Sequence, residues 1–582
     1  MTARTYPEYS KNYPLLLTTF MKRPVNLYPD EIGIVYRNFR TGQYFRFTWA
    51  EWYERTCRLA NALTALGVRP GKPDEPGDRV ATISLNHHCH LELYYGVSCS
   101  GAVLHPINMR LSPDHIVYTI THAEDKVIFF DDVFLPLVEQ IYGRIKDTVE
   151  KFVYISDQPG RPDTKIENLH TYEELLGQQP PQFEWPMLHE DTYATLCYTT
   201  GTTGRPKGVM FTHRALYLMT LHLIASGVLS NDPQEELLGE SGVALLNIPL
   251  FHIHGWGAPY LAVFTSTRLI LPGTFTVDGF CELVQNEKVT TTQLVPTMLA
   301  MIIEYPELAK YDLSSVKSCA VGGAALPLGL KTKAEKLLPG FKATSGYGMT
   351  ETAPVTIRAF IKKTDAGLPK EELEKLFVKT GIAVPGVDVQ VVDENMKPVA
   401  HDDSAIGEIV IRGPWVMDKY YKDPERTVEV WRDGWFHTGD VAKVDKDGYI
   451  TIADRISDMI RSGSEMVPTV LLENIAASAD FILEAAVVGV PDDIWGQRPL
   501  ALVSLVPGAT ETEEDVLRHL QQEGVDKGKI TRWMLPDYVL ITNDIPKTSV
   551  GKFNKLAINQ DIGTFLARAK RVRTVTSEQQ RA

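Results

Sequence analysis

The chain has 582 residues, more than one hydrophobic core usually serves, so we expect at least two domains. Hydrophobic residues make up 44% of it and charged residues 23%, which is typical of a globular protein. Its net charge of −14 argues against nucleic acid or an anionic membrane as the main partner, so any site for an anion has to be local.

The beginning of the sequence and its cysteines bear on the compartment. The first residues, MTARTYPEYSKNYP, lack the apolar core of a signal peptide, and no apolar run approaches the ~20 residues of a membrane-spanning helix. The six cysteines show no paired spacing and fit reduced thiols better than a disulfide framework. We therefore predict a cytoplasmic protein without a transmembrane segment.

Short β-rich runs alternate with helical segments from about residue 32 to residue 345. Examples are RVATISL followed by CHLELYYGVSCSGAV, and KVIFFDD followed by VFLPLVEQIYGRI. Such alternation predicts an α/β architecture, in which helices cover largely parallel sheets.

The later part of the chain has a different pattern. Residues 387–392, 407–412 and 449–452 are strand-like runs separated by Gly, Asp and Pro, which predicts a smaller antiparallel unit. Beyond it we predict strands at 485–490 and 500–506, then a helix capped by Thr510 or Thr512 with Asp515 in its first turn. We place a domain boundary between Asp454 and Met459, dividing residues 1–456 from residues 457–582.

The richest motif is the stretch YTTGTTGRPKG at residues 198–208. Glycines allow a sharp turn whose N–H groups approach an anion, hydroxyls donate to phosphate oxygens, and a lysine adds positive charge. It lacks the G-K-[ST] ending of a P-loop, and a Thr/Gly-rich hairpin is the alternative. The candidate polyphosphate ligands are Thr199, Thr200, Gly201, Thr202, Thr203, Gly204 and Lys207.

A second motif is SGYGMTET at residues 345–352. Tyr347, next to Gly346, can present an aromatic face to a base, while Thr350 offers a hydroxyl and Glu351 a hard oxygen ligand for Mg²⁺. The upstream run VGGAAL, with Gly323 and Ala324, predicts another glycine turn open to close approach. Each turn is also compatible with a plain structural role.

Two further motifs carry single charged residues. Asp440 in WFHTGD and Arg455 in IADRIS, fifteen residues apart, could hold a ribose diol from two sides, or form an ordinary surface pair. Lys552 in PKTSVGKFNK sits on a glycine turn near the end of the chain, where a lysine is usually solvated.

Taken in order, these motifs resemble those of the ANL superfamily of adenylate-forming enzymes. The stretches NHHCHLELYYGVSCSGAVLHPINMRLSPDHI, FHIHGWGAPY, GPWVMDKYY and WMLPDYVLITNDIPKTSVGKF resemble its fatty acyl-CoA synthetase branch. The resemblance implies an α/β N-terminal domain with a β-barrel-like unit and a small, mobile α+β C-terminal domain. It implies that a carboxylic acid and ATP·Mg²⁺ give an acyl-adenylate, from which the thiol of coenzyme A displaces AMP.

The resemblance also implies roles for individual residues. The loop from Thr199 to Lys207 would hold the β- and γ-phosphates. Tyr347, Gly323 and Ala324 would enclose adenine, and Asp440 and Arg455 would hold the ribose. Thr350 would contact the α-phosphate, Glu351 the magnesium ion, and Lys552 both the acid and the α-phosphate.

For the second half-reaction, the resemblance implies a large rotation of the C-terminal domain. Its hinge would be Ser457, where lysine or aspartate is usual, so the kinetics of the rotation are in question. Arg461, Ser462 and Gly463 would lie near coenzyme A. His252 would lie beside the acyl carboxylate, and Trp256 would either gate an acyl tunnel or simply pack in the core.

The run HHCH at residues 87–90, with His252 and His254, suggests zinc, but we reject that interpretation. The run lies where the family begins a helix, so we expect its side chains to point in different directions. The reaction requires only Mg²⁺.

Two alternative functions stay open. An amino-acid-activating domain would need an aspartate where His252 stands, and a non-catalytic nucleotide or acyl-AMP binder predicts loss of Lys552 or Glu351. The acid itself is also open: a medium- or long-chain fatty acid is favoured over a short hydroxylated, alicyclic or aromatic acid. Relatives are often dimers, so a homodimer is compatible with the resemblance.

Overall fold

The structure, a computed structural model, describes residues 13–199, 205–229, 239, 241–463, 465–547 and 553–573. Within these ranges the chain forms four sheets, with helices covering the first two. This arrangement confirms the predicted α/β class.

The first sheet has seven strands, five of them parallel to their neighbours. In spatial order they are Leu169–Thr171, Lys151–Ile155, Asp125–Asp131, Arg79–Ile83, Val103–Pro106, Tyr193–Thr199 and Lys207–Thr212. The last two form an antiparallel hairpin at the sheet edge, with Thr199 opposite Lys207. The predicted Thr/Gly loop joins these two strands in sequence, and its residues 200–204 lie outside the described residues.

The second sheet has nine strands and is parallel at its centre. In spatial order they are Ile382–Ala383, Ile357–Arg358, Lys342–Tyr347, Ser318–Val321, Thr291–Leu294, Val243–Leu245, Arg268–Leu271, Ile32–Arg37 and Tyr44–Thr48. Because parallel strands all end at one edge, the loops that follow them gather there.

The third and fourth sheets are smaller. The five-stranded antiparallel sheet comprises Asp388–Val392, Ile406–Arg412, Trp431–Arg432, Trp435–Val444 and Ile450–Arg455. The six-stranded C-terminal sheet comprises Ile460–Ser462, Glu465–Val467, Ile482–Asp492, Gly496–Leu505, Tyr538–Ile541 and Lys570–Arg571. Among the described residues, no strand of the C-terminal sheet comes from before Ile460.

The helices connect and cover these sheets. They are Thr18–Leu27, Trp49–Ala65, His88–Cys99, Pro113–Ala123, Leu135–Ile145, Tyr172–Gly177, His213–Leu229, Ala258–Thr265, Val277–Glu287, Pro296–Ile303, Leu328–Leu337, Lys370–Val378, Pro424–Val430, Thr469–Ala476, Glu513–Leu520, Lys555–Gln560 and Ile562–Arg568. Thr512 caps the helix Glu513–Leu520 together with Asp515, as the sequence predicted. No helix in the described part of the chain combines the length and apolarity needed to cross a membrane.

The helix His88–Cys99 lies at the centre of the large core, and all of its residues are buried. Its one carboxylate, Glu92, accepts hydrogen bonds from Arg55 Nε (2.7 Å) and Tyr172 Oη (2.6 Å). These partners offset the cost of burying the charge.

Three fully buried histidines are held neutral, which predicts an acid-labile fold. Burial lowers the pKa of His213 and of His90 to about 4, and that of His254 to about 3. His213 shows why: Nδ1 accepts from the Leu17 N–H (3.2 Å) while Nε2 donates to the Ser98 carbonyl (3.1 Å). If His213 Nδ1 also carried a proton, that N–H would face the Leu17 N–H group, and two donors would oppose each other.

We expect the free energy of unfolding to fall as the pH is lowered, because the unfolded histidines bind protons near their usual pKa and the folded ones do not. Between about pH 7 and about pH 5 the loss is about 2 kcal/mol for each such histidine. Urea unfolding at both pH values measures it. The variant His213→Asn should be less stable at neutral pH but lose less on acidification; an equal loss in both proteins would contradict this assignment.

Candidate active site

A cleft of about 2150 Å³ lies at the carboxyl ends of the central strands of the nine-stranded sheet. The five-stranded sheet and residues of the C-terminal region complete its walls. Ligands of open α/β sheets bind at this edge, because loops from several strands converge there.

The turn after the strand Lys342–Tyr347 places Glu351 in the cleft wall. Thr350–Thr352 form a short 3₁₀ turn in which Glu351 is buried. Tyr420 donates its hydroxyl proton to Glu351 Oε1 (2.8 Å), and the Met417 N–H donates to the Glu351 carbonyl (2.8 Å). Burial raises the pKa of Glu351, and the hydrogen bond from Tyr420 opposes that rise.

A second group joins Tyr347, Asp440 and Arg455. The Tyr347 hydroxyl donates to Asp440 Oδ2 (2.7 Å), and Arg455 Nε donates to Asp440 Oδ1 (2.9 Å). Asp440 is buried and lies opposite Arg455 on neighbouring strands. The two residues therefore form an ion pair at the cleft, in which the Asp440 carboxylate is buried and the Arg455 side chain is 44% exposed. Their role in holding a ribose stays a prediction.

The hairpin that carries the Thr/Gly motif borders the same cleft. Thr199 ends one strand of this hairpin, and Lys207 begins the next. The Lys207 Nζ atom lies 5.0 Å from the centre of the Tyr420 ring. The Tyr421 N–H donates to the Gly208 carbonyl (2.8 Å), which ties this hairpin to the segment that supports Glu351. The intervening residues Thr200, Gly201, Thr202, Thr203 and Gly204 lie outside the described residues.

The segment after His252 is a left-handed turn. Residues 253–257 all have positive φ, between 33° and 79°. Gly255 and Gly257 adopt such angles freely, but Ile253, His254 and Trp256 cost about 1–2 kcal/mol each. The turn lays the Trp256 ring over Gly322, where a Cβ atom would lie only 3.0 Å from the ring. Strain of this kind is typical of functional sites.

Most predicted site residues meet at the cleft. Those that line it are Thr199, Lys207, His252, Trp256, Gly323, Ala324, Gly346, Tyr347, Thr350, Glu351, Asp440 and Arg455. Lys552 lies outside the described residues, although the following residue, Phe553, lines the cleft. Their individual roles stay predictions.

The residues assigned to the hinge and to coenzyme A lie elsewhere. Ser457 is exposed, and its hydroxyl donates to Asp458. Arg461, Ser462 and Gly463 do not border the cleft within the described structure; the buried Arg498 donates from Nη1 to Ser462 Oγ (2.8 Å).

One geometric expectation about the HHCH run is wrong. His87 precedes the helix as its N-cap residue. One ring nitrogen of His87, one ring nitrogen of His88 and the Sγ atom of Cys89 all lie within 4.8 Å of one another. These side chains converge because the first of them is not yet helical. His90 points away and contacts Thr82 (2.9 Å), and the cluster lies outside the cleft lining.

Sequence reasoning missed Tyr420 as a site residue. It lies in the stretch GPWVMDKYY, which carried the family resemblance, but nothing in the local sequence linked it to Glu351. The two meet only through the fold.

Comparisons with known proteins agree with this architecture. The AMP-binding enzyme family matches residues 21–421, and the AMP-binding enzyme C-terminal domain matches residues 471–552. A long-chain-fatty-acid–CoA ligase of Thermus thermophilus is 39% identical over 96% of this chain and 98% of its own. A medium-chain-fatty-acid–CoA ligase of Ectopseudomonas oleovorans is 33% identical over 91% of this chain and 93% of its own.

Solved structures show the same fold. ATP-bound MatB from Rhodopseudomonas palustris aligns with a TM-score of 0.76 and 26% identity, covering 93% of this chain and 98% of that one. An anthranilate CoA ligase in complex with anthranoyl-AMP aligns with a TM-score of 0.80 and 22% identity, covering 94% of this chain and 98% of that one.

The fold and the cleft define an adenylate-forming enzyme. The chain belongs to the AMP-binding enzyme family, among its ATP-dependent acyl-CoA ligases. These enzymes convert a carboxylic acid and ATP into acyl-AMP and pyrophosphate, then transfer the acyl group to coenzyme A and release AMP.

Proposed function

We propose that the acid is a medium- or long-chain fatty acid. The observation that supports this is that the buried apolar side chains of Leu223, Leu261 and Ala262 line part of the cleft. Relatives include ligases named for long-chain fatty acids, 3-methylmercaptopropionyl-CoA and 4-hydroxybutyrate, so similarity alone leaves the acid open.

The nucleotide would lie across the turns at the strand ends. Tyr347, Gly323 and Ala324 would enclose adenine, while Asp440 and Arg455 would bind the ribose hydroxyls. The hydrogen bond between Asp440 Oδ1 and Arg455 Nε orients that carboxylate beforehand. Thr350 would donate to the α-phosphate, and the Thr/Gly hairpin from Thr199 to Lys207 would hold the pyrophosphate.

Glu351 would bind Mg²⁺. Its buried carboxylate offers hard oxygen atoms beside the proposed phosphate site. Tyr420 fixes the orientation of this carboxylate with one hydrogen bond, which suits an ion that takes few protein ligands. When bound, the ion neutralises phosphate charge. Glu351 itself positions the ion, and Tyr420 positions Glu351.

The acyl carboxylate would lie near His252, with Lys552 stabilising charge as it attacks the α-phosphate. Trp256 would cover the channel behind it, because its ring closes over Gly322.

We propose that residues 1–456 form the adenylating domain and residues 457–582 a domain that rotates about Ser457. Asp454 Oδ2 accepts a hydrogen bond from the Thr469 hydroxyl (2.7 Å) across the proposed boundary, and a large rotation has to break it. In the rotated state Arg461, Ser462 and Gly463 would approach coenzyme A.

The proposed setting is the cytoplasm, which is supported by the six cysteines: all are unpaired and buried. A homodimer stays a prediction.

The test is release of AMP and formation of acyl-CoA with a panel of straight-chain, hydroxylated, alicyclic and aromatic acids. We expect turnover with straight-chain acids of medium length or longer, because the inner channel removes apolar surface from water. ATP–pyrophosphate exchange that depends on the acid identifies the first half-reaction. Binding of ATP without exchange for any acid would instead favour a non-catalytic binder.

A further inference from the structure

The strand Trp435–Val444 is irregular at the place where it carries Asp440. Its pairing with the strand Ile406–Arg412 is regular on both sides of this place, but in between Ile409 alone lies opposite residues 438–440. Two additional residues therefore bulge out of the longer strand. Bulges beside active sites redirect a side chain, and the last residue of this bulge is Asp440, which lines the cleft.

The backbone donors of the bulge find partners outside the regular ladder of the sheet. A bulge disrupts the ladder, so its N–H groups need other acceptors. The Gly439 N–H donates to Glu408 Oε1 (3.0 Å), and the Asp440 N–H donates to Thr438 Oγ1 (3.1 Å). The Thr438 hydroxyl donates in turn to the Ile409 carbonyl (2.7 Å). Side chains thus hold the bulge on the strand that it faces.

Gly439, at the centre of the bulge, is held from both sides. Its φ of 72° lies in the left-handed region, which glycine adopts freely. Its N–H donates to Glu408, and its carbonyl accepts from the Ile456 N–H (2.9 Å). Because a glycine backbone has many conformations open to it, these contacts decide which one the bulge takes. The direction of Asp440, the next residue, follows from that conformation.

Glu408 is itself held in one orientation. It lines the cleft with 17% of its side chain exposed, and its two oxygen atoms have different partners. Oε1 accepts the Gly439 N–H, and Oε2 lies 2.8 Å from His437 Nδ1. The exposed Arg432 lies farther away, with its Nη2 atom 3.8 Å from Oε2. A side chain that is fixed in this way fixes the backbone group that donates to it.

We propose that Glu408 is a positioning residue for nucleotide binding. Its hydrogen bond from the Gly439 N–H holds the bulge, and the bulge holds the Asp440 carboxylate where that carboxylate binds the ribose hydroxyls. Glu408 acts through Asp440 and does not bind the nucleotide itself. This inference rests on the proposed function, and it adds to the nucleotide site a residue of the neighbouring strand.

The experiment measures kcat/KM for ATP and for 2′,3′-dideoxy-ATP, which lacks both ribose hydroxyls, in acyl-CoA formation. We expect the unaltered enzyme to prefer ATP by about 10²-fold or more, because the analogue leaves a buried carboxylate without its donors. In Glu408→Ala, kcat/KM for ATP should fall by about tenfold, since Asp440 is no longer held in place. The value for the analogue should hardly change, whereas a general loss of stability would lower both values equally.

Two further variants separate the reach of the side chain from its charge. Glu408→Gln can still accept the Gly439 N–H and should keep most of the preference for ATP. Glu408→Asp keeps the charge but is one methylene shorter, so it should lose the preference, and it serves the same comparison if the alanine variant does not fold. The control Asp388→Ala removes an exposed carboxylate of the same sheet that pairs with Arg412 outside the cleft lining, and it should keep the preference.

A double-mutant cycle tests whether Glu408 acts through Asp440. In an Asp440→Ala background, the change Glu408→Ala should have little further effect on kcat/KM for ATP, because the group that it positions is gone. Effects of the two changes that simply multiply would show that Glu408 acts independently of Asp440, and would overturn the proposal.

The other outcomes separate this proposal from the one on which it rests. An equal loss with both nucleotides, or a preference that survives in Glu408→Ala, would overturn the positioning role and leave Asp440 assigned to the ribose. If the unaltered enzyme formed acyl-CoA equally well with both nucleotides, the assignment of Asp440 to the ribose would fail, and the positioning role with it.

Discussion

Replacing Lys552 by alanine should abolish formation of the acyl-adenylate and spare the second half-reaction. The proposed role of Lys552 is to neutralise charge as one anion attacks another, and removing such a group typically costs about 10²–10³-fold or more in rate. The measurement is acid-dependent ATP–pyrophosphate exchange for the first half-reaction. For the second it is acyl-CoA formation from supplied acyl-adenylate and coenzyme A.

The control is Lys547→Ala in the same segment, where Nζ lies 2.7 Å from Glu484 Oε1 on an exposed surface. That variant should keep both half-reactions, since exposed ion pairs contribute little. Equal loss of both half-reactions in Lys552→Ala would overturn this division of roles. Loss of the second alone would place Lys552 in the thioester-forming state.

Replacing Glu351 by glutamine should lower the adenylation rate by about 10²–10³-fold without destabilising the fold. The amide can still accept the hydrogen bond from Tyr420, so packing is retained, but it is a poor ligand for Mg²⁺. Because burial raises the pKa of Glu351, removing its charge also relieves a desolvation cost. We expect the free energy of unfolding to stay equal or to rise.

The two measurements together distinguish a functional carboxylate from a structural one. Adenylation is followed over a range of Mg²⁺ concentrations, where the variant should need more of the ion, and stability is followed by urea unfolding. Glu372→Gln is the matched control, since that exposed carboxylate pairs only with Lys375, three residues on, among the contacts described. A variant at Glu351 that is inactive and also much less stable would indicate a structural role.

Much of the site was predictable because its residues lie in short, local motifs. Glu351 lies in the turn that follows the strand ending at Tyr347, and Thr199 and Lys207 are opposite each other on adjacent strands, so these residues are close both in sequence and in space. An ion pair between Asp440 and Arg455 was one of two interpretations of these residues, and only the structure showed that the Asp440 carboxylate is buried at the cleft.

Other features depend on conformations that residue types do not signal. The left-handed turn at residues 253–257 includes Ile253, His254 and Trp256, which disfavour positive φ, and only the glycines at 255 and 257 hint at it. The convergence of His87, His88 and Cys89 was missed because the helix begins one residue later than a continuous helical pattern implies.

The alternating patterns of the sequence by themselves determined the α/β class, and the resemblance of its contiguous motifs to a known family determined the class of enzyme. The nucleotide ligands stay predictions. Only the tertiary structure decided that Tyr420 supports Glu351 and that Trp256 closes over Gly322. These contacts join segments that are far apart in the chain. They follow from strand register and from the packing of a common core, which no local pattern specifies.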